Sequence, residues 1–270
     1  MMTQKTIAAL LVFFSVLGMS INAKANFIKD GDKLFKQGAY LKAADSYYKA
    51  YKQDPRGKKA DQALFKTGSS LDVASPGIYE EADRVCYLNK KTAEATPACF
   101  ERVVQRLNSR YGAGSFFYWA DRIMIQYSGK HFQKILDEYP KSSYRADATF
   151  KMFRGKNLLQ GSPESICGRV EHWIHKNSKS KLLSEAWLLL GRLYADSWWL
   201  YTKHTFITKG GVAQLDGLGE RSERTKGKGL AAFRQVFEKF RKSSHASAAR
   251  REYDLLKNNK DDGVMYGISY

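Results

Sequence analysis

Apolar and polar positions along the chain alternate with a helical period almost throughout. Leu183, Trp187, Leu190 and Tyr194, for example, recur at the three- and four-residue steps that gather side chains on one helix face. Read this way, the pattern predicts helices near 27–37, 40–54, 58–72, 78–90, 98–110, 114–127, 130–139, 142–159, 163–177, 181–201, 228–242 and 245–258. The chain has 5 prolines, and they fall between the periodic stretches, which favours helices over turn-rich sheets. No stretch shows convincing strand alternation, so the fold class expected is all-α. Two interruptions break the rhythm. One spans 73–97, around Ser75-Pro76-Gly77 and Asn89 to Pro97. The longer, near 202–229, is rich in glycine and cations and reads either as a linker or as a partner-binding loop.

An internal repeat underlies the periodicity. Gly31, Gly38, Tyr40, Ala43, Tyr47, Ala50 and Pro55 stand at the spacing of one tetratricopeptide repeat over roughly 24–57. Each residue type suits its place. Gly31 and Ala43 let two helices approach, Gly38 ends the first helix, Tyr40 and Tyr47 fill the seam, and Pro55 stops the second helix. Downstream, Trp187-x2-Leu190-Gly191-x2-Tyr194 matches the first-helix signature of the same family. Asp30 departs from the family, which places leucine there. Four junctions align as well, after Pro55, Pro140, Lys179 and Lys242. They set Ala63, Ala148, Ala186 and Ala249 at one repeat position, and three of them carry serines that can cap the next helix. This phrasing resembles that of bacterial envelope tetratricopeptide (TPR) proteins such as the outer-membrane β-barrel assembly lipoprotein. The resemblance implies a TPR-like α-solenoid of antiparallel helix pairs over 26–260, interrupted near 202–229, with a flexible tail at 261–270.

Other features bear on compartment and partners. Lys5, the apolar run Ile7–Leu17 and Ala23-Lys24-Ala25 read as a signal peptide over 1–25; the run is short of the roughly 20 residues that span a bilayer. No cysteine follows it to accept a lipid, so a periplasmic or secreted, unanchored product is expected. Loss of Lys5 and Lys24 lowers the net charge from +18 to +16. In an exported protein that charge suits an anionic envelope polymer or lipid, or simply a solvated lysine-rich surface; no nucleic acid partner is expected. Cys86 and Cys99 could pair across a helix connection in an oxidising compartment, leaving Cys167 as a buried small hydrophobe.

Candidate chemistry is sparse. Gly217-Leu-Gly219 lacks the rest of a nucleotide-binding loop. His172 and His175 with Cys167 have no ligand spacing typical of zinc, and read better as surface histidines. Glu164-Ser165 resembles the start of the lytic transglycosylase motif without its second half; Ser162-Pro163-Glu164 reads as a helix start. The sequence therefore predicts no enzyme, metal or cofactor. A TPR-like architecture implies instead a concave face that binds a peptide or helix of another protein. Tyr47, Tyr48, Tyr51, Arg110, Tyr111, Trp198, Trp199 and Tyr201 are the candidates for that face, with inter-repeat packing as the competing role for each.

Overall fold

The computed structural model describes residues 27–88, 97–119, 124–153, 163–203, 207–208, 211–212, 218–260, 264–265 and 268–269. The proposed signal peptide, the 89–96 connection, the Glu164 side chain and the centre of the glycine-rich segment lie outside the described residues. Two compact units divide the chain, Met1–Thr149 and Phe150–Tyr270. Both are mostly helical, and no described helix is long and apolar enough to cross a membrane.

In the first unit, helix α1 (27–36) turns tightly into α2 (Tyr40–Gln53). Gly38 adopts φ 75°, and the amides of Gly38 and Ala39 close on the Phe35 and Leu34 carbonyls, which lets the chain reverse within three residues. α3 (Ala60–Leu88) is the central element and packs against α2, α4 (Pro97–Tyr111), α5 (Lys130–Glu138) and the strand β2 (Met124–Tyr127). α6 (Arg145–Lys151) begins in this unit, and the division falls within it. The second unit holds α7 (Pro163–Lys176), α8 (Leu183–Lys203), α9 (Leu218–Lys239) and α10 (Ala246–Lys257). Each packs on the next, and α10 also reaches α8.

The four junctions that the sequence aligns share one backbone design. Before α3, Gly57 N–H donates to Asp54 O, Ala60 to Gly57 O and Ala63 to Lys59 O, at 2.9–3.1 Å. The same three bonds, at the same spacing, recur as Ser142–Tyr139, Arg145–Ser142 and Ala148–Tyr144. They recur again as Ser180–Asn177, Leu183–Ser180 and Ala186–Leu182, and as Ser243–Phe240, Ala246–Ser243 and Ala249–His245. At the second and third junctions the serine oxygen also accepts from the amide two residues on, at 3.0 Å, which satisfies a helix-start donor. Each ladder delivers its alanine, Ala63, Ala148, Ala186 or Ala249, to a site at most 1% exposed. The repeat position inferred from sequence is thus a structural position.

A second recurring device lets helices approach closely. A Cβ built on Gly31 would lie 2.5 Å from the Tyr47 ring, on Gly68 2.7 Å from Phe132, and on Gly191 2.5 Å from Phe233. In each case the missing side chain of one helix seats a buried aromatic of another, α1 with α2, α3 with α5 and α8 with α9.

Five expectations need correction. Residues 114–127, expected as helix, contain an antiparallel hairpin of β1 (Phe116–Trp119) and β2 in the register Phe116↔Tyr127 to Trp119↔Met124. Gly112 and Gly114, at φ 99° and 78°, stop α4, and the aromatic run that follows suits a pleated surface. Asn108 secures the start of β1, donating to the Phe116 carbonyl (3.0 Å) and accepting from its amide (2.8 Å). The expected break at 73–77 is also absent: α3 runs through Pro76, because Leu71, Ala74, Ile78, Ala82 and Cys86 form an unbroken buried stripe that outweighs one lost amide donor. The helix expected at 228–242 starts ten residues earlier as α9, so the second half of the 202–229 segment is helical. Short paired strands occur at Ile207–Thr208 with Gly211–Val212, and at Val264–Met265 with Ile268–Ser269, the latter within the expected tail. Finally, the described part of the helix expected at 142–159 ends at Lys151.

Candidate functional site

The sequence candidates fall in both units. In the second, Trp198 is 3% exposed and sits in the core formed by Phe233, Val236, Ala249 and Leu256. It packs there from α8, which runs on to Lys203. Trp199 is half-buried against the same cluster, while Tyr201 borders an open cleft with Thr202 and Ser222, whose hydroxyls lie 2.6 Å apart.

The first unit brings the remaining candidates together. Tyr47, Tyr51 and Tyr111 are buried. Their contacts are internal, in keeping with the packing role that competes with a binding face. Tyr47 donates to Asp32 Oδ1 at 2.6 Å, and Lys66 also binds that oxygen. Burial pushes the Asp32 carboxyl up, but Lys66 and Tyr47 outweigh it and hold the group below its usual range. Tyr111 donates to Asp45 Oδ1 (2.9 Å), and burial drives its phenol far up, with Asp45 adding to the effect. Arg110 grips the same carboxylate with two nitrogens, Nε at 2.6 Å from Oδ1. Arg110 thus ties α4 to α2, although its guanidinium remains exposed.

Tyr48, like Arg110, reaches the surface. Half-buried on α2, its ring stacks on Tyr51 (5.9 Å between centroids), tilts on Tyr111 (6.2 Å) and meets the His131 edge (5.2 Å). Cations surround it. Lys52 Nζ lies 5.0 Å from the Tyr48 ring and Lys134 Nζ 6.0 Å from the Tyr51 ring. A Cβ on Gly112 would stand 3.3 Å from the Tyr48 hydroxyl and 3.5 Å from Lys130 Nζ, which donates to the Ala113 carbonyl, so a side chain here would crowd both groups. Burial pushes the Tyr48 phenol up, Tyr51 adds to this and Lys134 opposes it, so at neutral pH the hydroxyl is a neutral donor.

Beneath this face His131 is 2% exposed, with Nδ1 2.9 Å from the Tyr127 hydroxyl, which also accepts from the His131 amide at 3.1 Å. Burial, with Lys130 adding, lowers its pKa to about 3, and the imidazole is neutral in the core. Sequence reasoning missed His131, Lys130, Lys134 and Asp45. Asp45 and Arg110 are 65 residues apart, and only folding shows their pairing.

Elsewhere, Cys86 and Cys99 form a disulfide with Cα atoms 5.8 Å apart, joining α3 to α4. Cys167 is buried with Ile166 and Val170, whereas His172 and His175 are exposed, so the three do not converge. No cluster of three or more metal-ligating side chains occurs among the described residues.

The Tyr48 face can offer a flat aromatic surface, a phenolic donor and ammonium groups. Those are the means by which a protein takes hold of a carbonyl-rich or acidic chain segment. No family model matches this chain, and no curated protein matches it either.

Proposed function

We propose that the chain is an exported, TPR-like scaffold that binds other proteins, in the periplasm or outside the cell, in assembly or maintenance of the envelope. The observation that carries this reading is the Tyr48 face: a half-buried tyrosine stacked on buried Tyr51, with Lys52 beside its own ring and Lys134 beside that of Tyr51. The repeated junctions support the TPR-like part, because stacked units of one design bury a continuous core and leave an extended surface for a partner. Locking Tyr48 between Tyr51, Tyr111 and His131 lowers the entropy lost on binding, so the ring can serve as an anchor.

Affinity capture of the tagged mature chain from an envelope fraction tests the proposal. A defined protein should co-purify with the wild type, and Tyr48→Ala combined with Lys52→Glu should lose it, as expected for an aromatic anchor worth about 2 kcal/mol or more. Recovery of no stable protein partner would overturn the reading. A second reading, favoured by the net charge of +16 left after loss of Lys5 and Lys24, is attachment to murein or anionic lipid as an accessory of a murein enzyme. Cosedimentation across a salt series separates the two, since purely electrostatic attachment falls steeply as screening grows.

A further inference from the structure

A second surface lies on α9 and α10, remote in sequence from the Tyr48 face. Residues 218–260 carry twelve Lys and Arg against five Asp and Glu. Three of the cations converge on one open cleft of about 620 Å³, lined by Arg234, Phe237, Glu238, Arg241, Arg250 and Tyr253. Its floor is aromatic: Phe237 and Tyr253 are half-buried and meet edge to face at 5.3 Å between centroids. Each guanidinium is held before any ligand arrives. Arg250 stacks 4.1 Å above the Phe237 ring, Arg234 Nη2 donates to the Tyr253 hydroxyl at 3.0 Å, and Arg241 Nε donates to the Glu238 carbonyl at 3.1 Å.

These contacts use little of the donor capacity. Among the described residues Arg250 makes no hydrogen bond or ion pair, and Arg241 bonds through Nε alone, leaving its terminal nitrogens for a ligand. Among the described residues that line the cleft, Glu238, 3.8 Å from Arg234, is the one acid. Arginine forks fixed in place suit carboxylates, which accept two parallel N–H bonds, and ordered cations lose less freedom on binding than mobile lysines. A lipid surface fits less well. The cleft is concave, and the exposed large hydrophobics among the described residues are Val73 and Val85, both in the first unit, so nothing beside the arginines is ready to enter a bilayer.

We infer that this cleft binds an acidic segment of a partner protein, with paired carboxylates on Arg241 and Arg250 and an intervening apolar side chain on Phe237 and Tyr253. The inference rests on reading the chain as a protein-binding scaffold and adds a second contact to it, chosen for charge.

The test is fluorescence anisotropy on the purified full chain with a short labelled peptide of acidic pairs separated by leucine, beside its Asn/Gln counterpart and vesicles containing one-third phosphatidylglycerol. The acidic peptide should bind saturably and the amide peptide should not. The double substitution Arg241→Gln with Arg250→Gln should weaken binding about tenfold or more. Removing two equally exposed charges from α1, by Lys29→Gln with Lys33→Gln, should change it less than twofold. Equal losses in the two double variants overturn the proposal, because they would show attraction by net charge alone. So does vesicle binding that needs Arg241 and Arg250 while the peptide fails to bind. A chain that ignores the peptide yet still retains a partner through Tyr48 loses the cleft assignment and keeps the scaffold reading.

Discussion

Adding one methyl group at Gly191 tests how α8 and α9 are packed. The new Cβ would lie 2.5 Å from two carbons of the Phe233 ring and 3.0 Å from a third. Ordinary carbon contacts are about 3.5–4.0 Å, so the overlap is roughly 1 Å. Phe233 is 1% exposed and has nowhere to swing, and Gly229 faces the Gly191 carbonyl where the two helices cross. Overpacking of this kind costs about 1–3 kcal/mol, while exchanging glycine for alanine inside a helix returns about 1 kcal/mol. With an overlap of roughly 1 Å on a ring that cannot move, the cost lies in the upper part of that range, and Gly191→Ala should destabilise the second unit by about 1–2 kcal/mol net. Gly168, exposed inside α7 with nothing within 4 Å of its own built Cβ, isolates the propensity gain. Gly168→Ala should stabilise by about 0.5–1 kcal/mol. Urea titration of both variants, followed by tryptophan fluorescence, gives the two midpoints, which should move in opposite directions. A Gly191→Ala midpoint at or above the wild type would refute the seating of Phe233 on that glycine. As a cross-check, trimming Phe233 to leucine should remove most of the extra cost of Gly191→Ala.

Three further outcomes follow from individual contacts. Cys86→Ser with Cys99→Ser reopens a loop with a sequence separation of 13, and should lower the stability of the first unit by about 3 kcal/mol; an unchanged urea midpoint would contradict this. Glu252 is 4% exposed and binds Arg192 through both oxygens, at 2.8 and 2.5 Å, so Arg192→Gln should cost about 3 kcal/mol and Glu252→Gln, which leaves a half-solvated guanidinium, about 2 kcal/mol. His131 has a folded pKa of about 3 against about 6.5 when unfolded, so below pH 6.5 the unfolded chain takes up the proton first. Stability is then complete above pH 6.5 and falls by about 2–3 kcal/mol on the way to pH 4.5. His131→Phe should flatten that slope in urea midpoints measured across the range.

The helical fold was legible because its elements repeat. Small residues at the helix crossings and alanines after each junction signal packing directly, and Gly31, Gly191, Ala63 and Ala249 all hold the positions their spacing implies. Residues 116–127 were harder, since Phe116, Phe117, Tyr118 and Trp119 suit either a buried helix or a hairpin; the glycines at 112 and 114 were the signal against continuing the helix. Pro76 misled in the opposite sense, as the buried stripe from Leu71 to Cys86 carries α3 past it. The candidate surface residues were only half visible. Aromatics mark a seam or a surface equally well, and which one depends on neighbours such as Asp45 and His131 that arrive from other helices. The α9–α10 cleft was hidden for the same reason: Arg241, in the turn after α9, and Arg250, on α10, line one cleft only once the two helices are paired.

A protein partner held at the Tyr48 face is most directly detected by placing a photocrosslinking amino acid at position 48 and irradiating intact cells. One discrete protein adduct is expected, absent when the same group replaces exposed Lys29 and diminished by Lys134→Glu. Crosslinks to murein or lipid alone, or the same adducts from both positions, would contradict it.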